Sequence, residues 1–308
     1  MAIVTVVIVT LITLVCLGYT ATCAVIAHTM TTARRKNPRR NSTWDKHSGD
    51  SIRIASRESN VSLAAWYITA ENPVSAVLFV HGKDCCRGEE LNSNTYSLAT
   101  NLVQRGISVL MLDLRGHGES DKGRLTYGLR ERQDVLGALD WLMLRGYKSH
   151  QIGFFGASMG GACTLAAAVQ SQDQGFGLGA LVTDSTYADF TDMMRRKFRK
   201  LSGMPNIFLP GALLIGTHIL KINLSAIKPE QDAARLSGVP MLVIHSEGDQ
   251  FVPVDHANRL AESGKGALWI TQNERHMASF QQNPNTYADR VGEFFAVNLG
   301  QATMRLTA

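Results

Sequence analysis

Short apolar runs alternate with amphipathic segments along most of the chain. The later runs are continuous and rich in Val, Ile, Leu and Phe, which is typical of strands buried on both faces of a sheet. In order they are SIRIAS, VSLAAWYI, AVLFVHG, SVLMLDLRG, QIGFFGAS, ALVTDST, MLVIHSEGD and ALWITQN. Helix-like segments such as ERQDVLGALDWLMLRG and MGGACTLAAAVQSQ separate them. The alternation predicts an α/β fold with a doubly wound, mostly parallel sheet.

The N-terminal segment has a different pattern, because it carries no charged side chain from Ala2 to Ala27. About 20 apolar residues suffice for a helix to cross a bilayer. We predict a transmembrane anchor over residues 1–30, a basic linker over 31–50 and a folded catalytic domain over 51–308. A cleaved signal peptide is the alternative, although nothing basic precedes the apolar run.

The charge of the chain is concentrated behind that apolar run. The net charge is +5, and residues 34–46 account for all of it: Arg34, Arg35, Lys36, Arg39, Arg40 and Lys46 against Asp45. A neutral body offers no footprint for a nucleic-acid backbone, so we expect no nucleic-acid partner. The basic flank favours a single-pass protein with a cytoplasmic body, and contact with anionic lipid. Secretion after signal cleavage is the alternative location.

The cysteines do not suggest a metal site or a disulfide framework. There are five, an odd number, and their spacing is not that of metal ligands. They are Cys16, Cys23, Cys85, Cys86 and Cys163.

Ser158 lies in QIGFFGASMGGACTLAAA, where a strand-like run is followed directly by a helix-like one. A nucleophile elbow requires this strand, sharp turn and helix. A side chain at Gly156 or Gly160 would collide with the neighbouring strand or helix. The pattern makes Ser158 a candidate nucleophile.

A serine hydroxyl needs a general base that a third group holds in place. Where a nucleophile elbow is used, the acid and then the histidine follow the serine along the chain. Asp249 follows the run MLVIHS, and His276 follows ALWITQ. Asp184, at the end of ALVTD, is a second candidate for the acid. The backbone N–H groups of Met159 and Lys83 are the candidate oxyanion donors.

The segments LFVHG, LDLRGHGES, GASMGG, HSEGDQFVP and ERH together resemble the successive signatures of the α/β-hydrolase family. The resemblance covers residues from about 75 to 296. The most similar members of the family include monoacylglycerol lipases, acyl thioesterases and serine aminopeptidase-like enzymes. It implies that Ser158 is the nucleophile, His276 the general base and Asp249, rather than Asp184, the orienting acid. It also implies no metal and no cofactor. In the same way, Asp113, Arg115, His117 and Glu119 are expected to fix a loop.

The expected function follows from the resemblance and the predicted location. The family commonly inserts a cap, which we place at about 187–238, where an apolar stretch lies. We expect a serine hydrolase that cleaves carboxylic esters or thioesters of lipid-derived acyl groups. A serine peptidase acting on short peptides is the alternative, and a non-catalytic protein with the same fold is a second one. The chain leaves the oligomeric state and the physiological substrate open.

Overall fold

The structure is a computed structural model that describes residues 1–38, 49–273 and 275–305. Eight strands form one sheet: β1 Asp50–Ala55, β2 Ser62–Ile68, β3 Ser75–Val80, β4 Ile107–Leu112, β5 Ile152–Ala157, β6 Ala180–Asp184, β7 Met241–Ser246 and β8 Ala267–Thr271. The α-helices are α1 Ala2–Met30, α2 Glu90–Ser93, α3 Thr95–Gln104, α4 Glu131–Leu144, α5 Met159–Asp173, α6 Phe190–Ser202, α7 Phe208–His218, α8 Pro229–Arg235, α9 Asp255–Ser263, α10 Ser279–Gln282 and α11 Pro284–Arg305.

The strands lie in the order β1-β2-β4-β3-β5-β6-β7-β8. The pairs β1–β2 and β2–β4 are antiparallel, and every later pair is parallel. Each apolar run of the sequence forms one of these strands. The predicted mostly parallel α/β sheet is confirmed, and its two antiparallel strands lie at one edge.

Helices cover both faces of the sheet. Leu78 and Phe154 belong to the core that contains the apolar sides of α4 and α5. Phe79 and Phe155 point into the opposite core, which contains α3 and α11, and their rings stack at 4.2 Å. Alternate residues of one strand therefore serve two cores, which is why these runs lack a polar face.

A helical cap follows β6 and consists of α6, α7 and α8. The α6 helix begins at the Asp189 side chain, which accepts a hydrogen bond from the Asp192 N–H, and it ends at Gly203 in a left-handed conformation. These are common start and stop signals of helices. The α7 helix is apolar and exposes Leu214 to solvent. The predicted cap insertion is thus present.

The α1 helix is long and apolar enough to be a candidate membrane span, by length and composition. Its C-terminal part packs against the body, where Cys23, Ile26 and Ala27 are buried. Thr31 is also buried, and its carbonyl accepts a hydrogen bond from the Leu125 N–H at 2.9 Å.

The segment after α1 belongs to the basic linker predicted over 31–50. Within residues 31–38, the Arg34 N–H donates to Asp84 Oδ1 at 2.7 Å, and the Arg35 guanidinium donates to the Ser120 carbonyl at 2.8 Å. The first part of the segment is therefore held on the body. The rest, 39–48, lies outside the described residues, and the domain boundaries stay a prediction.

Candidate active site

Ser158 occupies a sharp turn between β5 and α5, in the middle of the sheet. Its φ is 50° and its ψ is −114°, a strained conformation for a residue with a side chain. The Ser158 N–H donates to the Asp184 carbonyl at 2.8 Å, and the Ser158 carbonyl accepts from Thr186 Oγ1 at 3.0 Å. These bonds hold the turn so that the hydroxyl projects above the strand ends.

Two glycines allow the turn to be this tight. A Cβ on Gly160 would lie 2.3 Å from the Val80 carbonyl oxygen, and one on Gly156 would lie 2.5 Å from the Gly161 Cα. Both distances are shorter than atoms can approach. A side chain at either glycine would therefore collide with the neighbouring strand or helix, as the sequence predicted.

His276 and Asp249 lie beside Ser158, in loops that follow β8 and β7. The Ser158 Oγ lies 2.9 Å from His276 Nε2, and His276 Nδ1 lies 2.6 Å from Asp249 Oδ2. The ring of Phe251 packs against the imidazole with its centroid 5.0 Å away. The three residues that the sequence analysis named are thus joined in one hydrogen-bonded chain.

Asp249 is fixed from its other side by the backbone. Its Oδ1 accepts hydrogen bonds from the N–H groups of Phe251 at 2.7 Å and Val252 at 2.9 Å. Burial alone would raise the pKa of Asp249, but the hydrogen bond with His276 and the nearby imidazoles outweigh it and lower the pKa. The carboxylate is therefore ionised and oriented toward His276 at neutral pH.

Asp184, the second candidate for the acid, has a different position. Its carboxyl is fully buried and accepts hydrogen bonds from the Tyr287 hydroxyl at 2.7 Å and the Ser185 hydroxyl at 2.8 Å. The Ser185 Oγ in turn accepts from the Met277 N–H at 3.3 Å, next to His276. Burial raises the pKa of Asp184 to about 6, against the effect of its two donors. Asp184 thus supports the histidine loop and does not contact the imidazole.

The loop after β3 approaches Ser158 closely at Gly82, where a Cβ would lie 3.2 Å from the Ser158 Cβ. The Gly82 N–H donates to Glu90 Oε1 at 3.1 Å, so this group is already occupied. Lys83 comes next in the loop, and Lys83 and Met159 line the same cavity as Ser158. Met159 is the first residue of α5, where N–H groups have no acceptor within the helix.

A buried polar network fixes the loop after β4. Arg87 pairs with Asp113, and Arg115 pairs with Asp134, with the arginine side chains 3% exposed and these two carboxylates fully buried. Burial lowers the pKa of His81 to about 4 and that of His117 to about 3, so both rings are neutral. These contacts agree with a structural role for the DLRGHGES segment.

A cavity of about 940 Å³ opens at Ser158. The body contributes apolar residues from α6 and nearby loops, among them Tyr127, Phe190, Met193 and Met194. The opposite side is formed by α1 and the segment after it, through residues that include Ala21, Val25, Met30 and Arg34. The α1 helix therefore lines the cavity, which its uniformly apolar sequence did not indicate.

Among the described residues, one group of three side chains has the spacing of metal ligands: Asp192, Asp255 and His256. It lies outside the cavity. Arg259 bonds to Asp192 at 2.7 Å, and Arg196 bonds to Asp255 at 2.7 Å. These arginines already neutralise the carboxylates.

Some residues that support the site could not be found from the sequence. Tyr287 lies on α11, about a hundred positions from Asp184, and Glu90 lies on a one-turn helix. Neither residue belongs to a motif. Their roles depend on contacts between distant parts of the chain, which local patterns do not encode.

The geometry agrees with comparisons to known proteins. A family model described as serine aminopeptidase S33 matches residues 71–308. The chain belongs to this family. This S33-family protein is a hydrolase of the α/β-hydrolase superfamily, as the resemblance and the fold class had predicted.

Relatives of this S33-family chain occur in several organisms. The chain is 29% identical to the uncharacterised protein YqkD of Bacillus subtilis over 217 residues, which cover 68% of the chain and 69% of YqkD. It is 25% identical to the uncharacterised protein YfhR of Escherichia coli O157:H7 over 81% of each chain. Among solved structures, the Pyrococcus furiosus esterase Pf2001 is 22% identical and superposes with a TM-score of 0.70 over 88% of this chain and 98% of the esterase.

Proposed function

We propose that this protein is a serine hydrolase that cleaves carboxylic ester or thioester bonds of lipid-derived acyl groups. One observation carries the proposal. The Ser158 Oγ, the His276 imidazole and the Asp249 carboxylate form a continuous hydrogen-bonded chain, with distances of 2.9 and 2.6 Å. The same constellation of hydroxyl, imidazole and carboxylate activates serine in unrelated hydrolases.

In the proposed reaction, Ser158 Oγ attacks the acyl carbon while His276 Nε2 takes its proton. Asp249 keeps the other ring nitrogen protonated, because its Oδ2 accepts from Nδ1. The protonated imidazole then delivers its proton to the leaving alcohol or thiol, and an acyl-enzyme remains. Water activated by His276 attacks this ester, and the acid and Ser158 are released.

We assign the oxyanion hole to the N–H groups of Met159 and Lys83. Two preorganised donors aimed at the developing charge stabilise a tetrahedral intermediate. Met159 also begins α5, so the positive end of the helix dipole faces the same position.

The lining of the cavity supports an acyl substrate. The Phe190, Met193 and Met194 side chains offer an apolar surface to a hydrocarbon chain, and methionine adapts to chains of different shape. A volume of about 940 Å³ is at the upper end for ligand pockets and exceeds what an acetyl group needs.

The alternative is a serine peptidase, which the name of the family favours. An aminopeptidase has to recognise a free ammonium group, for which a carboxylate is the natural partner. Among the described residues that line the cavity, Asp84 is the one with an acidic side chain. Its carboxylate already pairs with the Lys83 ammonium at 2.6 Å. We therefore favour the ester or thioester.

We further propose that α1 is a retained single-pass anchor and that the body faces the cytoplasm. Cleavage after Ala27 would remove Cys23, Ile26 and Ala27, which are buried against the body. The basic residues behind the helix favour this orientation, because positive flanks stay on the cytoplasmic side.

The test is hydrolysis of p-nitrophenyl esters from acetate to palmitate by the full chain in detergent, beside Ser158→Ala. We expect the substitution to lower kcat/KM by roughly 10³-fold or more, since it removes the nucleophile. Labelling by a fluorophosphonate probe should be lost together with activity.

Ser171→Ala is the matched control, because it removes another hydroxyl from α5, one that bonds the Phe176 carbonyl. It should be labelled and active. Equal activity of Ser158→Ala and wild type would refute the mechanism, whereas peptide cleavage without ester cleavage would favour the peptidase.

A further inference from the structure

The α1 helix is longer than a membrane requires. Its 29 residues span about 44 Å at 1.5 Å per residue, whereas the hydrocarbon core of a bilayer is about 30 Å thick. Apolar side chains are exposed from Ile3 to Leu17, and the buried residues start at Cys23. The first two thirds of α1 therefore suit the bilayer, and the last third belongs to the folded body.

From Tyr19 onward, α1 is attached to the cap by specific contacts. The Tyr19 hydroxyl donates to the Ile207 carbonyl at 2.9 Å, and its ring stacks on Phe208 at 5.3 Å. Gly211 makes the close approach possible, since a Cβ there would lie 2.5 Å from Cys23 Sγ. The helix therefore has a defined position relative to α7.

The end of α1 is also attached to the body beside Ser158. The Tyr127 hydroxyl donates to the Met30 carbonyl at 2.7 Å, and Asp84, next to Lys83, accepts from the Arg34 N–H. The cavity wall thus runs from Arg34 near the catalytic serine back to Ala21. From Met30 to Ala21 the helix rises about 14 Å, a distance that a long acyl chain reaches and a short one does not.

The outer surface of the cap is apolar along α7. Ile207, Leu214 and Ile219 are more than 60% exposed, although they are large aliphatic residues. Ile207 is also the residue that Tyr19 contacts, and tyrosine is enriched at membrane surfaces. A face of this kind, continuous with a candidate span, fits the acyl and headgroup boundary of a bilayer.

We propose that α1 is one wall of the acyl site as well as the anchor, and that the substrate is a single-chain acyl lipid that enters from the bilayer along α1. This inference rests on the proposed hydrolase function and extends it. The reacting carbonyl lies at Ser158, and the hydrocarbon chain lies along the Ala21 and Val25 side of the helix. The membrane thereby supplies the substrate directly to the cavity.

Two alanines of α1 give a matched test. Ala21 lines the cavity, whereas Ala24 is exposed on the same helix and is not among the lining residues. The full chain is reconstituted into phosphatidylcholine vesicles, with p-nitrophenyl dodecanoate in the bilayer and p-nitrophenyl butyrate in the water. Ala21→Trp should lower the ratio of dodecanoate to butyrate hydrolysis about tenfold. Ala24→Trp should change neither rate.

The outcomes separate the two proposals. If the wild type cleaves butyrate but Ala21→Trp leaves the ratio of the two rates unchanged, α1 is not a wall of the acyl site. The proposal of a serine hydrolase is then unaffected. An equal fall of both rates in Ala21→Trp also overturns the wall. If the wild type cleaves neither ester, the hydrolase proposal fails and this inference falls with it.

A second measurement addresses the route. When lipid and ester are diluted together in buffer, the mole fraction of ester in the bilayer does not change. The rate of dodecanoate hydrolysis per protein should then also stay constant. A rate that follows the bulk concentration of ester would overturn entry from the membrane.

Discussion

Two buried carboxylates near His276 differ in what they contact. Asp249 bonds to the imidazole at 2.6 Å, whereas Asp184 bonds to Tyr287 and Ser185. Their surroundings shift their pKa values in opposite directions, lowering that of Asp249 and raising that of Asp184 to about 6. One carboxylate therefore contacts the imidazole directly, and the other reaches the loop of His276 through Ser185.

Asparagine at each position should therefore have very different effects. Asp249→Asn should lower kcat by roughly 10⁴-fold, because an amide can donate to Nδ1 and favours the wrong imidazole tautomer. Asp184→Asn, the control, should lower kcat by less than about tenfold, since it touches the site through Ser185 and Met277. Steady-state kinetics on the best p-nitrophenyl ester measures both. A larger loss in Asp184→Asn would exchange the two assignments.

Asp184 should also make stability depend on pH. The unfolded chain ionises this group near the ordinary aspartate pKa of 3.8, but the folded protein, with a pKa of about 6, keeps the proton to higher pH. Because the folded state binds more protons in between, wild type should lose stability relative to Asp184→Asn as the pH rises from about 4 to about 6, by up to about 3 kcal/mol. Thermal unfolding of both proteins in detergent at pH 4.5 and 7 measures this difference. A constant difference would contradict the pKa shift.

The sequence identified the residues of the site that belong to local motifs. Ser158 lies in a strand, turn and helix pattern, and Asp249 and His276 follow strands in the expected order, so their proximity could be anticipated. Their assigned functions stay a proposal. Tyr287 could not be identified, because its contact with Asp184 depends on how α11 packs on the sheet.

At the scale of elements, the contact between β3 and α5 determines where the Met159 N–H lies. Gly160→Ala should separate the two, because a Cβ would lie 2.3 Å from the Val80 carbonyl oxygen and 2.6 Å from that of His81. We expect kcat to fall at least about tenfold and the melting temperature to fall by several degrees.

Gly177→Ala is the matched control for this substitution, since a Cβ there meets nothing within 4 Å. Both variants are compared by thermal unfolding and ester hydrolysis. Indistinguishable behaviour of the two would mean that the tight approach at Gly160 does not matter.

Sequence patterns predicted the secondary-structure elements better than they predicted contacts between them. All eight strands were visible as runs in which apolar residues predominate, and the signal is clearest from β2 to β7, which are buried on both faces. What the pattern could not show is the relation between α1 and α7. Both are apolar nearly all round, so hydrophobicity alone does not indicate which side faces lipid and which faces protein.

At the scale of the whole molecule, the N-terminal segment should count as part of the folded body. A chain that starts at Ser51 loses the buried residues of α1, and it leaves the Leu125 N–H and the Tyr127 hydroxyl without their partners. We expect its melting temperature to be lower by at least about 5 °C, at 2–4 °C per kcal/mol for a domain of this size.

A chain lacking only residues 2–18 is the control for the truncation, because it keeps Tyr19 and every buried residue of α1. Its melting temperature in detergent should equal that of the full chain. Equal values for all three chains would mean that α1 adds nothing to the fold.

The contact between Tyr19 and Ile207 also has a consequence for the order of events during synthesis. The two residues are 188 positions apart, so α1 leaves the ribosome long before its partner helix exists. Domains fold as units while the chain is made at about 5–20 residues per second, and distant contacts form late. The first segment to be translated thus waits at least about nine seconds for the helix that it packs against, and the cavity closes last.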